Sequence, residues 1–256
     1  MSYTAIRYVN HTILEGMTSI TALLNAKAAG VNDREIHAIV YDPDRQEKKA
    51  RELNYLREVC EKQRIDFVKA EPGFIEHVAS GNTHGGILAL CGYRTFPEPT
   101  AENLPKNGFL CLLDGIEDPY NFGYALRSLY AAGCDGILVG ERNWMDAAGL
   151  VARASAGASE LLPMFAGPVR RSVLAAKEAG YRVAAAGIRN ATPMYRADLK
   201  RPLLLVVGGE KRGISSSVIS LCDQIVRIEY GRSFRGSLSA ASAATVLGFE
   251  VLRQNS

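Results

Sequence analysis

No stretch of this 256-residue sequence approaches the ~18 consecutive apolar residues that a membrane span needs. The longest apolar stretches, such as Leu203 to Val207, have the length of a strand, and mean hydropathy is −0.03. The opening residues, MSYTAIRYVN, lack the basic head and apolar core of a secretory signal, so a soluble cytoplasmic protein is the expectation. Cysteine is sparse: five residues at 60, 91, 111, 134 and 222, an odd number with no Cys-x-x-Cys pair. That excludes a disulfide scaffold and argues against a zinc site or any other metal centre. The cysteines read as small buried hydrophobes in a reducing compartment. Histidine is missing from the second half, because His11, His37, His77 and His84 all fall in the first 84 residues. Proton transfer farther along the chain must use another side chain. Two nucleotide-binding motifs are absent as well. Gly208 and Gly213 have the P-loop spacing, but Ile214 stands where the phosphate-binding lysine is required, and G-x-G-x-x-G does not occur in that loop.

What is present is a globular composition, 47% hydrophobic and 22% charged, in a length that suits one or two domains. Strand-like and helix-like segments alternate. In the first part, helices are expected over 13–29, 44–64 and 74–80, and strands over 36–41, 65–68 and 86–91. The stretch 93–107 carries three prolines and no periodicity, which suggests a linker. It separates an α/β domain over 1–92 from a second domain over 108–256. There, strands are expected at 109–113, 136–139, 181–186, 203–207 and 224–228. Helices are expected at 118–132, 146–156, 168–179, 215–221 and 237–252. Strands separated by helices make a parallel sheet with helices on both faces. Charge is unevenly split, with a net −2 over 1–105 and +5 over 106–256. The excess is mostly arginine, which pairs with phosphate bidentately. The alternative is ordinary surface charge for solubility.

Ligands of an open parallel sheet bind beyond the carboxyl ends of its strands, and three such ends stand out. The first is LDGIEDPYNFGYALRSLYAAG, residues 113–133, where Asp118-Pro119 opens a helix carrying Asn121 and Arg127. The second is VVGGEKRGIS, residues 206–215. Its Gly-Gly directly after a buried strand permits close approach of a ligand or another backbone, and Glu210 is a candidate polar contact. The third is RIEYGRSFRGSLSAASAATVLGFEVLR, residues 227–253, in which a Gly-, Ser- and Arg-containing loop leads into a small-residue helix. A helix start offers free backbone N–H groups to an anion. Each segment alone is equally compatible with a capped surface helix, a tight turn or a buried packing helix.

In this order, the three segments resemble the SpoU (TrmH-like) family of RNA ribose 2′-O-methyltransferases within the SPOUT superfamily. Asp118-Pro119-x-Asn121-x-Gly123 with Arg127 is similar to the family's first motif. Gly208-Gly209-Glu210-Lys211-Arg212-Gly213 is similar to the second, and Ser237-Leu238 before the small-residue helix to the third. Ser155-Ala156-Gly157-Ala158 matches a further stretch between them. The likeness covers roughly residues 109–253. The first 92 residues look like the family's substrate-binding domain, with Thr83-His84-Gly85-Gly86-Ile87 as its end.

The resemblance implies an α/β fold: a SPOUT trefoil-knotted parallel sheet flanked by helices, preceded by a smaller α/β RNA substrate-binding domain. It implies S-adenosylmethionine as cofactor, in a pocket formed by Gly208, Gly209, Ile228, Tyr230, Ser237 and Leu238. It implies a homodimer through the C-terminal domain, each active site completed across the interface. The reaction would be 2′-O-methylation of a ribose in structured RNA, leaning towards ribosomal over transfer RNA. Arg127 would be either the base or a cation that holds the phosphate and stabilises the developing alkoxide, with Asn121, Glu210 and Ser239 as further catalytic candidates. Arg127, Lys211, Arg212, Arg232 and Arg235 would face the RNA. The front domain, net negative, would need a local patch such as Lys48, Lys49 and Arg51. One departure stands out. The family's Ser-Leu-Asn reads Ser237-Leu238-Ser239 here, and the preceding loop is one residue longer. Serine cannot duplicate an amide's hydrogen bonds. A catalytically silent RNA-binding dimer of the same fold is therefore the alternative expectation.

Overall fold

The computed structural model describes residues 12–140, 147–209 and 212–256. They form two compact units. The first takes the chain up to Thr95 together with a later segment ending at Leu161. The second takes the chain from Phe96 to Gly140 and from Leu162 to Ser256.

The first unit holds a four-stranded sheet in the order β1-β4-β2-β3, made of β1 (Thr12–Glu15), β2 (Ile36–Tyr41), β3 (Asp66–Lys69) and β4 (Ile87–Cys91). β4 runs antiparallel to both neighbours and β2 pairs parallel with β3. Its helices are α1 (Gly16–Ala28), α2 (Ala50–Gln63) and α3 (Phe74–Val78), joined by α5 (Ala148–Ala154) and α6 (Ala158–Leu161) from later in the chain. The helix expected from residue 13 starts at Gly16 instead, because Thr12–Glu15 pair with Cys91–Leu88 as a strand. Tertiary pairing overrides the helical propensity of Leu14 and Glu15. The expected helix 44–64 divides into a 3₁₀ turn at Pro43–Arg45 and α2.

α5 and α6 are held by buried charge. Arg34 and Glu160 are each about 3% exposed and meet at 3.0 Å. The Asn32 amide donates to the same carboxylate at 2.8 Å, and Arg34 also donates to the Gly92 carbonyl. Arg94 donates to the carbonyls of Ser159 and Val31. Burial pushes the Arg94 guanidinium below its usual pKa, and Glu160 opposes that shift. At the far end, Arg153 reaches the buried Glu15 carboxylate at 3.3 Å. A linear cut into 1–92 and 108–256 thus does not describe the compact units. Helices in the middle of the second sequence region complete the first core.

The stretch 93–107 also differs from a free linker. The Ala166 N–H donates to the Pro97 carbonyl, the Tyr181 hydroxyl donates to the Pro105 carbonyl, and Leu104 is buried in the core of the second unit. Prolines remove regular hydrogen bonding; they do not prevent packing.

The second unit is a seven-stranded, all-parallel sheet in the order β7-β6-β5-β10-β8-β11-β9. Its strands are β5 (Phe109–Asp114), β6 (Gly136–Val139), β7 (Met164–Ala166), β8 (Arg182–Ala186), β9 (Thr192–Pro193), β10 (Leu203–Gly208) and β11 (Gln224–Arg227). The edge strands β7 and β9 are too short to show a period in the sequence. The unalternating run Leu203–Val207 is fully covered on both faces, as a central parallel strand must be. Each such leucine contributes about 1.5–3 kcal/mol by leaving water. The helices are α4 (Pro119–Ala131), α7 (Val169–Glu178), α8 (Ser216–Ile219) and α9 (Ala240–Asn255). α9 packs on α4 and on β10. Cys60, Cys91, Cys111 and Cys134 are buried and Cys222 half-buried, all as free thiols. Burial pushes the Cys91 and Cys134 thiols up to about 12. None of the helices among the described residues is long and apolar enough to cross a membrane.

Candidate functional site

β5 and β10 are neighbours in register, with Asp114 beside Gly208. This brings the ends of the first two sequence motifs together. The Gly209 N–H donates to the Asp114 carbonyl at 2.6 Å, and the Gly213 N–H donates to the Gly209 carbonyl at 2.9 Å. These glycines are required by backbone, not by a side-chain pocket. A Cβ on Gly209 would stand 2.1 Å from the Gly115 carbonyl oxygen, and one on Gly208 would stand 2.6 Å from the Gly213 carbonyl carbon. The turn after β10 therefore folds tightly on itself and on the turn after β5. Burial raises the pKa of the Asp114 carboxyl at this junction.

A cavity of about 660 Å³ opens beyond the carboxyl ends of β8, β10 and β11. That volume lies in the range of small-molecule sites. Its lining includes Gly208, Gly209, Ile228, Tyr230, Ser237 and Leu238, all six of the expected cofactor residues. Ile188, Val207, Ile214 and Leu247 supply apolar walls. The Leu238 N–H donates to the Tyr230 hydroxyl at 3.2 Å, which ties the two ends of the loop after β11 to each other. The contribution of the β8 end, Ala186–Ile188, was not anticipated from the sequence. The signal for it was a glycine, Gly187, directly after an apolar strand.

Other expected residues lie elsewhere. Asp118 caps α4 by accepting from the Asn121 N–H at 2.8 Å, with Pro119 in the first turn. Asn121 is half-buried in that turn and Arg127 is exposed two turns on; neither lines the cavity. No described residue forms an ion pair or hydrogen bond with Arg127. Ser239 does not line the cavity either. It is the N-cap of α9, its Oγ accepting from the Ser242 N–H at 3.1 Å. Arg235 lines the cavity, while Arg212 and Arg232 are exposed beside it in sequence. Glu210 and Lys211 lie outside the described residues. In the first unit, Lys48 and Arg51 are exposed and Lys49 is paired with Glu52 at 2.9 Å. Among the described residues, no cluster of three His, Cys, Asp or Glu could hold a metal ion.

A parallel sheet with a small-molecule cavity at its strand ends, lined by glycine and loop backbone, defines a cofactor- or nucleotide-binding α/β protein. The profile of the SpoU rRNA methylase family matches residues 108–249. The chain belongs to that family, a family of RNA methyltransferases. A Staphylococcus haemolyticus protein of the TrmH family of tRNA/rRNA methyltransferases is 30% identical over 209 residues, covering 79% of this chain and 83% of the relative. A Burkholderia 23S rRNA (guanosine-2′-O-)-methyltransferase, RlmB, is 28% identical over 246 residues, covering 94% and 96%. The fold is similar to the crystal structure of the SpoU methyltransferase AviRb from Streptomyces viridochromogenes in complex with AdoMet. The TM-score is 0.74 at 23% identity, over 99% of this chain and 94% of that one.

Proposed function

We propose that this protein transfers a methyl group from S-adenosylmethionine to a ribose 2′-hydroxyl of structured RNA, ribosomal RNA in the cytoplasm. The observation that carries the reading is the cavity beyond β8, β10 and β11, where backbone of the second and third motifs converges in a chain of this family. The residues present suit the cofactor. Apolar walls fit an adenine ring, and backbone groups at Gly208, Ile228 and Leu238 can hydrogen-bond without adding charge. When bound there, S-adenosylmethionine supplies the electrophilic methyl group. The trefoil knot belongs to the same proposal and would be formed by the loops after β10 and β11.

The chain's own task is to orient the ribose and stabilise the charge that grows on its oxygen. Arg127, exposed and without a described partner, is suited to hold the adjacent phosphate and that oxygen. It does not line the cavity of its own chain, which supports a homodimer in which a second copy brings Arg127 to the site. Tyr120, Tyr124 and Tyr130 on α4 and Phe249 on α9, each 41–49% exposed, offer apolar surface for such an interface. The first unit would grip RNA through Lys48 and Arg51. Ser239, engaged as a helix cap, favours a second reading, a silent RNA-binding dimer of the same fold.

The test is transfer of labelled methyl from S-adenosylmethionine to RNA of cells lacking the protein, with mapping of 2′-O-methyl sites. Arg127→Ala should lower the rate about a hundredfold or more with cofactor affinity unchanged by calorimetry. A rate close to wild type would remove Arg127 from the mechanism. Cofactor binding without transfer to any RNA would leave the silent dimer standing.

A further inference from the structure

An aromatic side chain at the mouth of the cavity has no structural task that explains its exposure. Phe234 is 61% exposed, yet it lines the same cavity as the expected cofactor residues. Its ring is braced on one side by backbone. A Cβ on Gly236 would stand 2.6 Å from the ring Cζ, so only glycine at 236 lets the ring lie there. On another side it faces Tyr230, with centroids 6.0 Å apart and planes tilted by 53°. Tyr230 is itself tied to the Leu238 N–H. The loop is thus held at several points around an aromatic ring that remains open to solvent. Arg232 and Arg235 flank it and are exposed.

Aromatic rings presented among arginines are how proteins hold unpaired bases. Every base has a face that stacks, and the neighbouring cations take the backbone phosphates. Exposing the ring forfeits its burial, and here it does so at the cavity mouth with two exposed arginines within two residues in sequence. The tilted contact with Tyr230 accounts for one neighbour of the ring and leaves its open side unexplained.

We infer that Phe234 is a stacking platform for an unpaired RNA base next to the methyl-transfer cavity, with Arg232 and Arg235 holding the phosphates on either side. The inference rests on the RNA-modifying reading above and adds a base-binding subsite to it. The recognised substrate would then be a nucleotide in a loop, bulge or end, because a base paired within a helix cannot present its face to a side chain.

The experiment uses the full-length protein with ribosomal RNA from cells lacking it, and short RNA fragments in which single uridines are replaced by 5-iodouridine. Irradiation should join the iodinated base to Phe234, located by mass spectrometry. In gel shifts, Phe234→Ala should weaken RNA binding roughly ten- to hundredfold, and Phe234→Leu should lose as much. Phe234→Trp should stay within about threefold of wild type. The melting temperature should stay that of wild type in all three and reports that each is folded. The subsite is overturned if Phe234→Leu binds RNA as wild type does, or if the adduct forms only elsewhere. It is equally overturned if Phe234→Ala weakens S-adenosylmethionine instead of RNA, which would make the ring a wall of the cofactor site. Neither binding nor cross-linking requires methyl transfer. Failure of the stacking subsite and failure of the methyltransferase reading are therefore separate results.

Discussion

The two units bury different chemistry. Among the described residues, Thr12, Glu15, Ser19, Asn32, Arg34, His84, Arg94, Ser155, Ser159 and Glu160 are buried polar residues of the first unit, whereas only Ser172 and Glu250 are so buried in the second. The first unit is assembled from segments far apart in the chain, and α5 and α6 are short and mostly alanine-like. Such helices offer little area for hydrophobic selection. Directional pairs such as Arg34–Glu160, 126 residues apart, fix where they dock. The second unit needs no such device, because leucine- and valine-rich strands in parallel register specify one another. Its ion pairs, such as Lys177–Asp223 and Arg182–Asp198, are partly exposed to solvent. One unit spends its buried charge on assembly, and the other keeps its strand ends open for ligand.

The sharpest way to break this comparison is to remove the buried carboxylate. Glu160→Ala strands Arg34 without its ion pair and takes a partner from Asn32. It should destabilise the first unit by about 3–5 kcal/mol. Hydrogen exchange would show this as loss of protection in residues 30–35 and 158–160, with β5 and β10 keeping theirs. The double variant Arg34→Met/Glu160→Leu should recover most of the loss, since an apolar pair of similar volume can replace a buried ion pair. If Glu160→Ala leaves exchange unchanged, buried charge is not what docks α5 and α6.

A smaller effect is expected in the second unit, and of another kind. Gly209→Ala drives a methyl against the Gly115 carbonyl oxygen, 2.1 Å away in the unrelaxed geometry. Overpacking of this sort costs about 1–3 kcal/mol. Here it falls on the turn that lines the cavity, where about 1.4 kcal/mol is tenfold in affinity. Calorimetry should therefore show roughly tenfold weaker S-adenosylmethionine binding, with the melting temperature lowered by about a few degrees. The opposite pattern, lost stability with intact binding, would make the glycine pair structural only.

The same contrast explains what was legible in the sequence. The second unit's core strands follow from unalternating apolar runs, and α4 follows from Asp118-Pro119, because each signal is local. The six residues that the family resemblance assigns to the cofactor sit in loops at strand ends, where a motif is local in sequence, and all six line the cavity. β1 was hidden, since a four-residue strand depends on its partner β4 and not on its own period. The docking of α5 and α6 on the first unit was hidden for the same reason. Glu160 falls outside every expected helix and looks like a surface glutamate until Arg34 is placed against it. Ser239 stands where the family resemblance expects a catalytic amide, and its cap role depends on the helix starting at Ala240 and not at 237.

The smallest effect tests whether charge matters to the second unit away from its cavity. Asp223 accepts from the Val183 N–H at 2.8 Å and pairs with Lys177. Partial burial works to raise its pKa, but the Lys177 bond and the Val183 N–H outweigh it and leave the carboxyl below its ordinary 3.8. A lowered folded pKa means the ionised form favours folding. The stabilisation is present above the unfolded value and is lost as pH falls through the folded one. The Asp223 side chain is 44% exposed, so solvent screens the pair. Asp223→Asn should then cost no more than about 1 kcal/mol at neutral pH. Melting curves of the two proteins should converge as pH drops below 3.8. A gap that persists at lower pH would mean that the carboxylate acts through shape and hydrogen bonding alone. A gap as large as that of Glu160→Ala would dissolve the contrast between a charge-docked unit and an apolar one.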